Sequence, residues 1–442
     1  MTQHPTSSPE IETASSLSMV RRVVIAATAG SAMEWYDYFA YGTAAALVFN
    51  KLFFPTLSPL AGTLASFLAF ASGFLMRPLG AIIFGHLGDR KGRKFTLLVT
   101  VTGMGISTGL IGLLPTYASI GTLAPILLTL LRLIQGLSVG GEWGGAVTIA
   151  LEHAPAKYAG RASMFVQLGG PLGTLLSTGM YAVLNLLPGD EFTAWGWRIP
   201  FLASFVFVLI SVYMRLRMEE SPVFKKALAD DRLAKSPLVE TLRTAWPQVV
   251  AGLFTVQSGF YIVTTFVLSY GSTVLGLPRP LILTATLIGT AIEIGVVCLY
   301  GVLADRYGAT RVFVTSTALS VVVALPVFLL IDTKNPTLVT VGVVLGIAIV
   351  ASPFGVLGVV LSRWFPVETR YTGMSISYQV GLIFGGFMPS LCIGLLSLAN
   401  GESWGVAGLL ALIGLIALTG CYAGHAVVQR NSAPISPTKQ PA

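Results

Sequence analysis

Charge is what this sequence has least of. Asp, Glu, Lys and Arg make up only 10% of its 442 residues, against a hydrophobic share of 54% and a mean hydropathy of +0.78. A soluble globular domain carries about 25% charged residues, so the composition excludes an ordinary water-facing surface and describes a chain made mostly of membrane spans. Cysteine is scarce as well. Cys298, Cys392 and Cys421 all lie in apolar stretches, a pattern that fits neither a disulfide framework nor a zinc site. The four histidines, His4, His86, His153 and His425, are scattered, which leaves no metal cluster and no histidine-based catalytic set. The apolar runs also lack the alternation, over about ten residues, of an outer-membrane strand.

What is present is helix-length hydrophobicity. Runs of about 20 apolar residues predict twelve transmembrane helices, at 22–49, 60–87, 95–115, 121–150, 161–187, 197–217, 247–272, 280–304, 311–331, 336–364, 371–397 and 404–428. With both termini cytoplasmic, 21 of the 27 Lys and Arg fall on the cytoplasmic side. The exceptions are Lys51, Arg198, Arg279 and Lys334 outside, and Arg77 and Arg132 within helices. That bias obeys the positive-inside rule, so the net charge of +8 reads as topology and not as a nucleic-acid footprint. Arg21-Arg22 followed by VVIAATAGSA resembles a twin-arginine or secretory signal. The apolar stretch runs on to residue 49, however, so this segment is read as helix 1.

The chain repeats itself. GHLGDRKGRK (85–94) after helix 2 is echoed by GVLADRYGATR (301–311) after helix 8, and Gly85, Asp89, Arg90 and Gly92 match Gly301, Asp305, Arg306 and Gly308 at an offset of 216. YAG at 158–160 matches YTG at 371–373 at an offset of 213. The expected organisation is therefore a disordered tail (1–19), a six-helix bundle (20–217), a cytoplasmic linker (218–246), a second six-helix bundle (247–429) and a disordered tail (430–442). The charged linker reads equally as a surface-lying amphipathic tether or a passive connection. Internal six-helix repeats typify transporters that open alternately to each side.

These stretches carry a resemblance. The repeated loop resembles that of the major facilitator superfamily. EWYDYFAYG in helix 1, FLMRPLGAIIFGHLGDRKGRK through helix 2, RLIQGLSVGGEWGGA in helix 4, WGWRIPFL entering helix 6 and MEESPVF after it look like the metabolite:proton symporter family, with ALVFNKLFFP closest to its shikimate permease branch. The resemblance spans nearly the whole chain and is denser in the first half. It implies an all-α integral membrane protein in two pseudo-repeat bundles. The second loop departs from the pattern, with Ala309 in the place of Arg93.

A charge in a spanning helix costs several kcal/mol, which makes an ionisable residue at depth a functional candidate. Six qualify: Glu34, Asp37, Arg77, Arg132, Glu142 and Glu293. Glu34, Asp37 and Tyr41 follow at spacings of three and four, near one face of helix 1, with Tyr38 adjoining. That face is expected to point into a central cavity, the acids carrying protons and the tyrosines contacting a small ligand. The plainer alternative is a structural ion pair docking helix 1 onto helix 4. The resemblance implies that Arg132 couples protons by pairing with Asp37 or Glu34. Arg77, just before Pro78, is expected to grip a substrate carboxylate with two parallel hydrogen bonds, or else to reach the cytoplasmic surface.

SVGGEWGG (138–145) has the glycines of a phosphate loop without the following Lys-Ser or Lys-Thr, and reads as close helix packing. Gln135, Glu142 and Trp143 nearby join the candidate substrate contacts, Glu142 also as a structural or gate partner. Glu293, mid-helix 8, either lines the cavity or bonds a neighbouring hydroxyl. Gln167, Gln257, Tyr261, Tyr378 and Gln379 are neutral candidates, with Gln167 and Gln379 expected to face each other across the cavity or to bond neighbouring helices. Gly85, Asp89, Arg90, Gly92, Arg93, Asp305 and Arg306 are the expected gate, as the resemblance implies. Asp89 would be favoured near the N-terminus of helix 11 by the helix dipole, and Arg93 by pairing with Glu152.

The leading expectation is a proton-driven importer of a small organic anion. It would sit in the bacterial inner membrane, need no cofactor, and act as a monomer with the lipid bilayer and protons as its other partners. Two buried arginines favour an anion. A zwitterionic osmolyte such as proline or betaine is the alternative, although the printed tail QRNSAPISPTKQPA carries none of the heptads of that branch's osmosensing members. A membrane enzyme or sensor fits less well, for want of a nucleophile–base set, a metal cluster or an output domain.

Overall fold

The computed structural model describes residues 9–432 apart from 185, 186, 189, 232, 257 and 258. The described residues form helices and connecting turns, with no strand among them. In chain order the spans are helix 1 (Pro9–Ala44, ending in a π turn at Ala45–Phe49), helix 2 (Pro59–Lys91), helix 3 (Arg93–Leu113) and helix 4 (Leu123–Val139 and Glu142–His153). Helix 5 (Ala159–Gln167 and Gly169–Leu184) and helix 6 (Ile199–Leu216) complete the first half. The second half has helix 7 (Trp246–Thr255, then Ile262–Phe266, Val267–Ser269 and Tyr270–Val274), helix 8 (Arg279–Tyr307) and helix 9 (Ala309–Asp332). Helix 10 (Pro336–Ser362), helix 11 (Arg370–Leu398) and helix 12 (Trp404–Ser432) follow.

Eight of these, among the described residues, are apolar and long enough to cross a membrane by themselves: helices 2, 3, 4, 6, 8, 9, 10 and 12. The other four form two repeat pairs, helices 1 with 7 and 5 with 11. Helix 1 carries six charges and a π turn, helix 7 breaks after Thr255, helix 5 is interrupted at Leu168, and helix 11 bends by 43° past Pro389. Non-helical backbone at membrane depth survives only where protein or a cavity covers it, so the interrupted helices mark the interior of the molecule.

Helices 2 and 4 cross at glycine contacts. A Cβ on Gly136 would collide with the Gly73 carbonyl, and one on Gly140 with that of Arg77. The two repeated loops each turn on a glycine with positive φ, Gly92 (107°) and Gly308 (91°), a region that side chains with a Cβ rarely enter. At the opposite end of the bundles Arg198 Nη1 donates to the Gly112 and Leu114 carbonyls (2.8 and 2.7 Å), where a cation meets the C-terminus of helix 3.

The ends and the linker differ from expectation. Helix 1 already begins at Pro9, because a proline at the first helical position suits a helix start and nothing between it and Arg21 breaks one. The tail expected to be disordered over 1–19 is thus helical from residue 9, and helix 12 runs to Ser432. Residues 1–8 and 433–442 lie outside the described residues. The linker forms two short helices, Pro222–Ala229 and Pro237–Thr244. It is docked: Glu220 accepts from the Arg93 and Lys94 amides (both 3.0 Å), capping helix 3, and Ser221 donates to Glu152.

Candidate functional site

Helix 1 distributes its polar residues over three surroundings. Trp35 and Tyr38 face the second half: the Trp35 ring lies 5.9 Å from Phe260 and 6.3 Å from Phe354, and the Tyr38 ring 5.7 Å from Tyr261. Glu34 reaches helix 2, where Arg77 Nη1 donates to its Oε1 at 3.4 Å, while its Oε2 has no partner. Asp37 turns into the first bundle. Its carboxylate accepts from Thr108 and from Ser204, both at 2.7 Å. Asp37 therefore does not face the cavity as the sequence suggested. Three residues of helix separate it from Glu34, and each finds its own neighbours.

The expected direct pairing of Arg132 with Asp37 or Glu34 is likewise absent. The Arg132 guanidinium lies over the rings of Tyr41 (4.5 Å) and Phe70 (4.6 Å) and donates to the Phe70 carbonyl (3.3 Å). Its Nη1 donates to Gln135. Gln135 Nε2 donates to Thr108 (2.6 Å), and Thr108 to Asp37. Arg132 and Asp37 are thus joined through two intervening side chains. Tyr41 serves as one face of the arginine's stack, away from the ligand space. Arg77 lies over Phe74 at 4.5 Å. Glu34, Tyr38, Arg77, Arg132 and Gln135 together line a small polar pocket.

A second, largely apolar cavity adjoins it between the two halves. Trp35, Phe260, Tyr261, Phe313, Phe354 and Tyr378 supply its aromatic walls, and Glu293 is the only carboxyl among the described residues that line it. Gln257 lies outside the described residues. Towards the repeated loops the cavity ends on Trp143, stacked on Tyr378 across the two halves with ring centroids 3.8 Å apart. Trp143 Nε1 donates to Gln167 (2.8 Å), which donates to the Phe354 carbonyl of helix 10 (2.9 Å). Gln379 donates to the Val139 carbonyl, at the break in helix 4 (3.3 Å). The two glutamines do not face each other. Each reaches backbone in the opposite half.

Beyond that layer the loop end is shut. Asp89 accepts from the Tyr371 and Thr372 amides (3.3 and 2.9 Å) and the Thr372 hydroxyl (2.7 Å), at the start of helix 11. Asp305 accepts from the Gly160 and Arg161 amides (2.6 and 3.3 Å), at the start of helix 5. Arg93 Nη2 donates to the Val367 carbonyl (3.0 Å), its Nε lies 3.4 Å from Glu152, and Arg370 reaches Glu152 from the other half (3.4 Å). Gly85 and Gly88 let helix 2 meet Thr372 and Tyr371. Arg90 and Arg306 are exposed and flank the closure without forming it.

Comparison with known proteins agrees with this geometry. Residues 23–245 match the family described as "Sugar (and other) transporter". The shikimate transporter of Escherichia coli (strain K12) is 41% identical over 89% of this chain and 91% of its own. The chain belongs to this transporter family, within the major facilitator superfamily. The inner membrane metabolite transport protein YhjE of the same organism is 42% identical over 82% of the chain and 85% of its own. The fold is that of the proton:xylose symporter XylE bound to 6-bromo-6-deoxy-D-glucose, with a TM-score of 0.74 at 18% identity over 93% of this chain and 96% of that one. The protein is a multi-pass inner-membrane transporter of small molecules, not an enzyme.

Some of the transporter's buried polar residues escaped the sequence reading. The charge bias of the sequence places Arg215 among the cytoplasmic cations. It is instead fully buried at the end of helix 6 and bonded to both oxygens of Glu142 and to the Leu97 carbonyl. Glu142 also accepts from Thr100 (2.9 Å). It is therefore a structural partner inside the first bundle and not a substrate contact, since Arg215 and Thr100 take both its oxygens. A signal was available: an acid in the inner half of helix 4 needs a cation at similar depth, and Arg215 sits in the last turn of helix 6. Thr108 and Ser204 gave no such signal, because single hydroxyls in apolar helices ordinarily bond their own backbone.

Proposed function

We propose that this transporter imports a small organic acid together with at least one proton, by alternating access. The observation that carries the reading is the pocket in which two arginines, Arg77 and Arg132, are held beside Glu34 and within a two-residue chain of Asp37. A pocket with two guanidinium groups suits a carboxylate, which accepts paired hydrogen bonds from such a fork. Arg77 is held by Glu34 through a single long contact of 3.4 Å. A proton on Glu34 removes that hold and frees Arg77 for the substrate. Asp37 is the second acid, linked to Arg132 through Thr108 and Gln135. When the substrate leaves, the arginines return to the acids and expel the protons.

Energetics support proton coupling. Import of an anion works against an inside-negative potential by about 2.3 kcal/mol per charge per 100 mV, and one co-transported proton cancels that charge. The gradient is the energy source, no cofactor is required, and a single chain contains both half-sites. With both termini cytoplasmic, the closed loop end is the cytoplasmic one, and the gate consists of Asp89, Arg93, Glu152 and Asp305. This is the arrangement that receives substrate from outside.

The test is uptake by proteoliposomes under an imposed pH gradient, inside alkaline, of labelled shikimate, ketoglutarate, citrate, benzoate, proline and betaine. Accumulation of an acid, abolished by a protonophore, is the expected result. Accumulation of betaine or proline alone would replace this reading with the osmolyte one.

A further inference from the structure

Glu293 stands outside the coupling groups. It is 3% exposed, its Oε2 has no hydrogen-bond partner, and it is the only carboxyl among the described residues that line the apolar cavity. A buried polar atom left unsatisfied is costly, and most such atoms in proteins have partners. Trp35, Tyr261 and Tyr378 of the cavity wall carry N–H and O–H donors, but none of them is bonded to Oε2.

The arginine pocket and this cavity meet at the tyrosine pair. Tyr38 lines the first, Tyr261 lines the second, and their rings lie 5.7 Å apart. A molecule whose carboxylate sits at Arg77 and Arg132 must extend its body past these rings into the cavity. We propose that Glu293 is a specificity-determining residue that receives a hydroxyl group at the end of the substrate remote from its carboxylate. The inference rests on the organic-acid reading above and narrows it to hydroxylated acids with an apolar body.

A hydroxyl suits the site better than an ammonium. A primary ammonium brings three donors and a hydroxyl one, and the cavity wall presents a single carboxyl. The aromatic side chains pack the body between the two polar ends and exclude water from both.

The test uses the full chain in detergent, with binding followed by tryptophan fluorescence and thermal shift. The probes are cyclohexanecarboxylate, its trans-4-hydroxy and trans-4-amino derivatives, and glycine betaine. The hydroxy acid is expected to bind the wild type about tenfold or more tightly than the parent acid, as for a hydrogen bond to a carboxylate. Glu293→Leu should erase that increment, so that hydroxy and parent acids bind the variant alike. Glu293→Gln, which still accepts a hydrogen bond, should keep part of it. Should Glu293→Leu fail to fold, Glu293→Asp, which withdraws the carboxyl by one methylene, has to reduce the increment. Equal binding of hydroxy and parent acids to the wild type, an increment that survives both Leu and Asp, or tighter binding of the amino acid or betaine would overturn the proposal. Failure of the organic-acid reading looks different. There the parent acid does not bind the wild type at all, and Arg77→Gln changes nothing.

Discussion

Asp89 and Asp305 perform one action on opposite halves: each carboxylate accepts the amides that open a helix of the other bundle, Tyr371 and Thr372 for Asp89, Gly160 and Arg161 for Asp305. Four unpaired amides open every helix, and a carboxylate is favoured there by the dipole. The two caps are unequal. Asp89 is fully buried and gains the Thr372 hydroxyl and an ion pair with Arg93 at 3.3 Å. Asp305 pairs with the half-exposed Arg161. Ala309, in the position of Arg93, supplies no second ion pair.

Gating follows from that asymmetry. Asp89→Asn should open the loop end more than Asp305→Asn does. A charge-assisted hydrogen bond contributes about 1.5–3 kcal/mol, enough to move the closed-to-open ratio about 10- to 150-fold. The readout is labelling of Ala351→Cys in the cavity by a cytoplasmic-side thiol reagent, with Cys298, Cys392 and Cys421 replaced. Substrate preference should stay unchanged. A mutant that prefers a different substrate would show that the loop does more than close.

Proton coupling is expected to fail in Asp37→Asn. The variant should lose accumulation driven by a pH gradient and retain exchange of substrate across the membrane. Gln135→Leu, which breaks the chain from Arg132 to Thr108, should weaken coupling in the same direction while leaving Asp37 in place. Normal gradient-driven accumulation by Asp37→Asn would remove that residue from the mechanism.

Arg77→Lys tests the sign of the substrate. Lysine keeps the charge but loses the planar two-donor fork, so apparent affinity should fall about 10- to 150-fold. Arg77→Gln should do at least as much harm. Thermal shift with increasing ligand separates this loss from a coupling defect. An affinity near that of wild type in Arg77→Lys would take Arg77 out of the site.

Stability is where Glu142 and Arg215 should register. Removing one partner of a buried ion pair costs about 3–5 kcal/mol, because the other charge stays buried. Arg215→Met should therefore lower the unfolding temperature by several degrees in detergent. The double variant Glu142→Gln with Arg215→Met should regain most of the loss. A double variant no more stable than Arg215→Met alone would show that the Leu97 carbonyl contact, and not the pair, holds helix 6.

Some of this was legible in one dimension. Hydrophobic length predicts the spans because a bilayer demands about 20 apolar residues per helix. The repeat of Asp89 and Asp305, read with that of Gly160 and Gly373, points to the two caps, since a carboxylate beside a helix start is a local preference that survives any packing. Tertiary structure decided which buried groups meet. Spacing places Glu34, Asp37 and Tyr41 near one face of a helix, but at about 100° per residue that face is broad, and the rotation of helix 1 against its neighbours splits it. Glu34 goes to Arg77, Asp37 to Thr108 and Ser204, and Tyr41 to the stack on Arg132. Arg215 was read as a cytoplasmic charge because depth along a helix does not tell which way a long side chain turns, and it turns inward to Glu142. Glu293 could be seen in the sequence only as a charge in an apolar run. That it faces an aromatic cavity, with no counter-ion among the described residues that line it, depends on seven helices from both halves meeting around it, which no local pattern encodes.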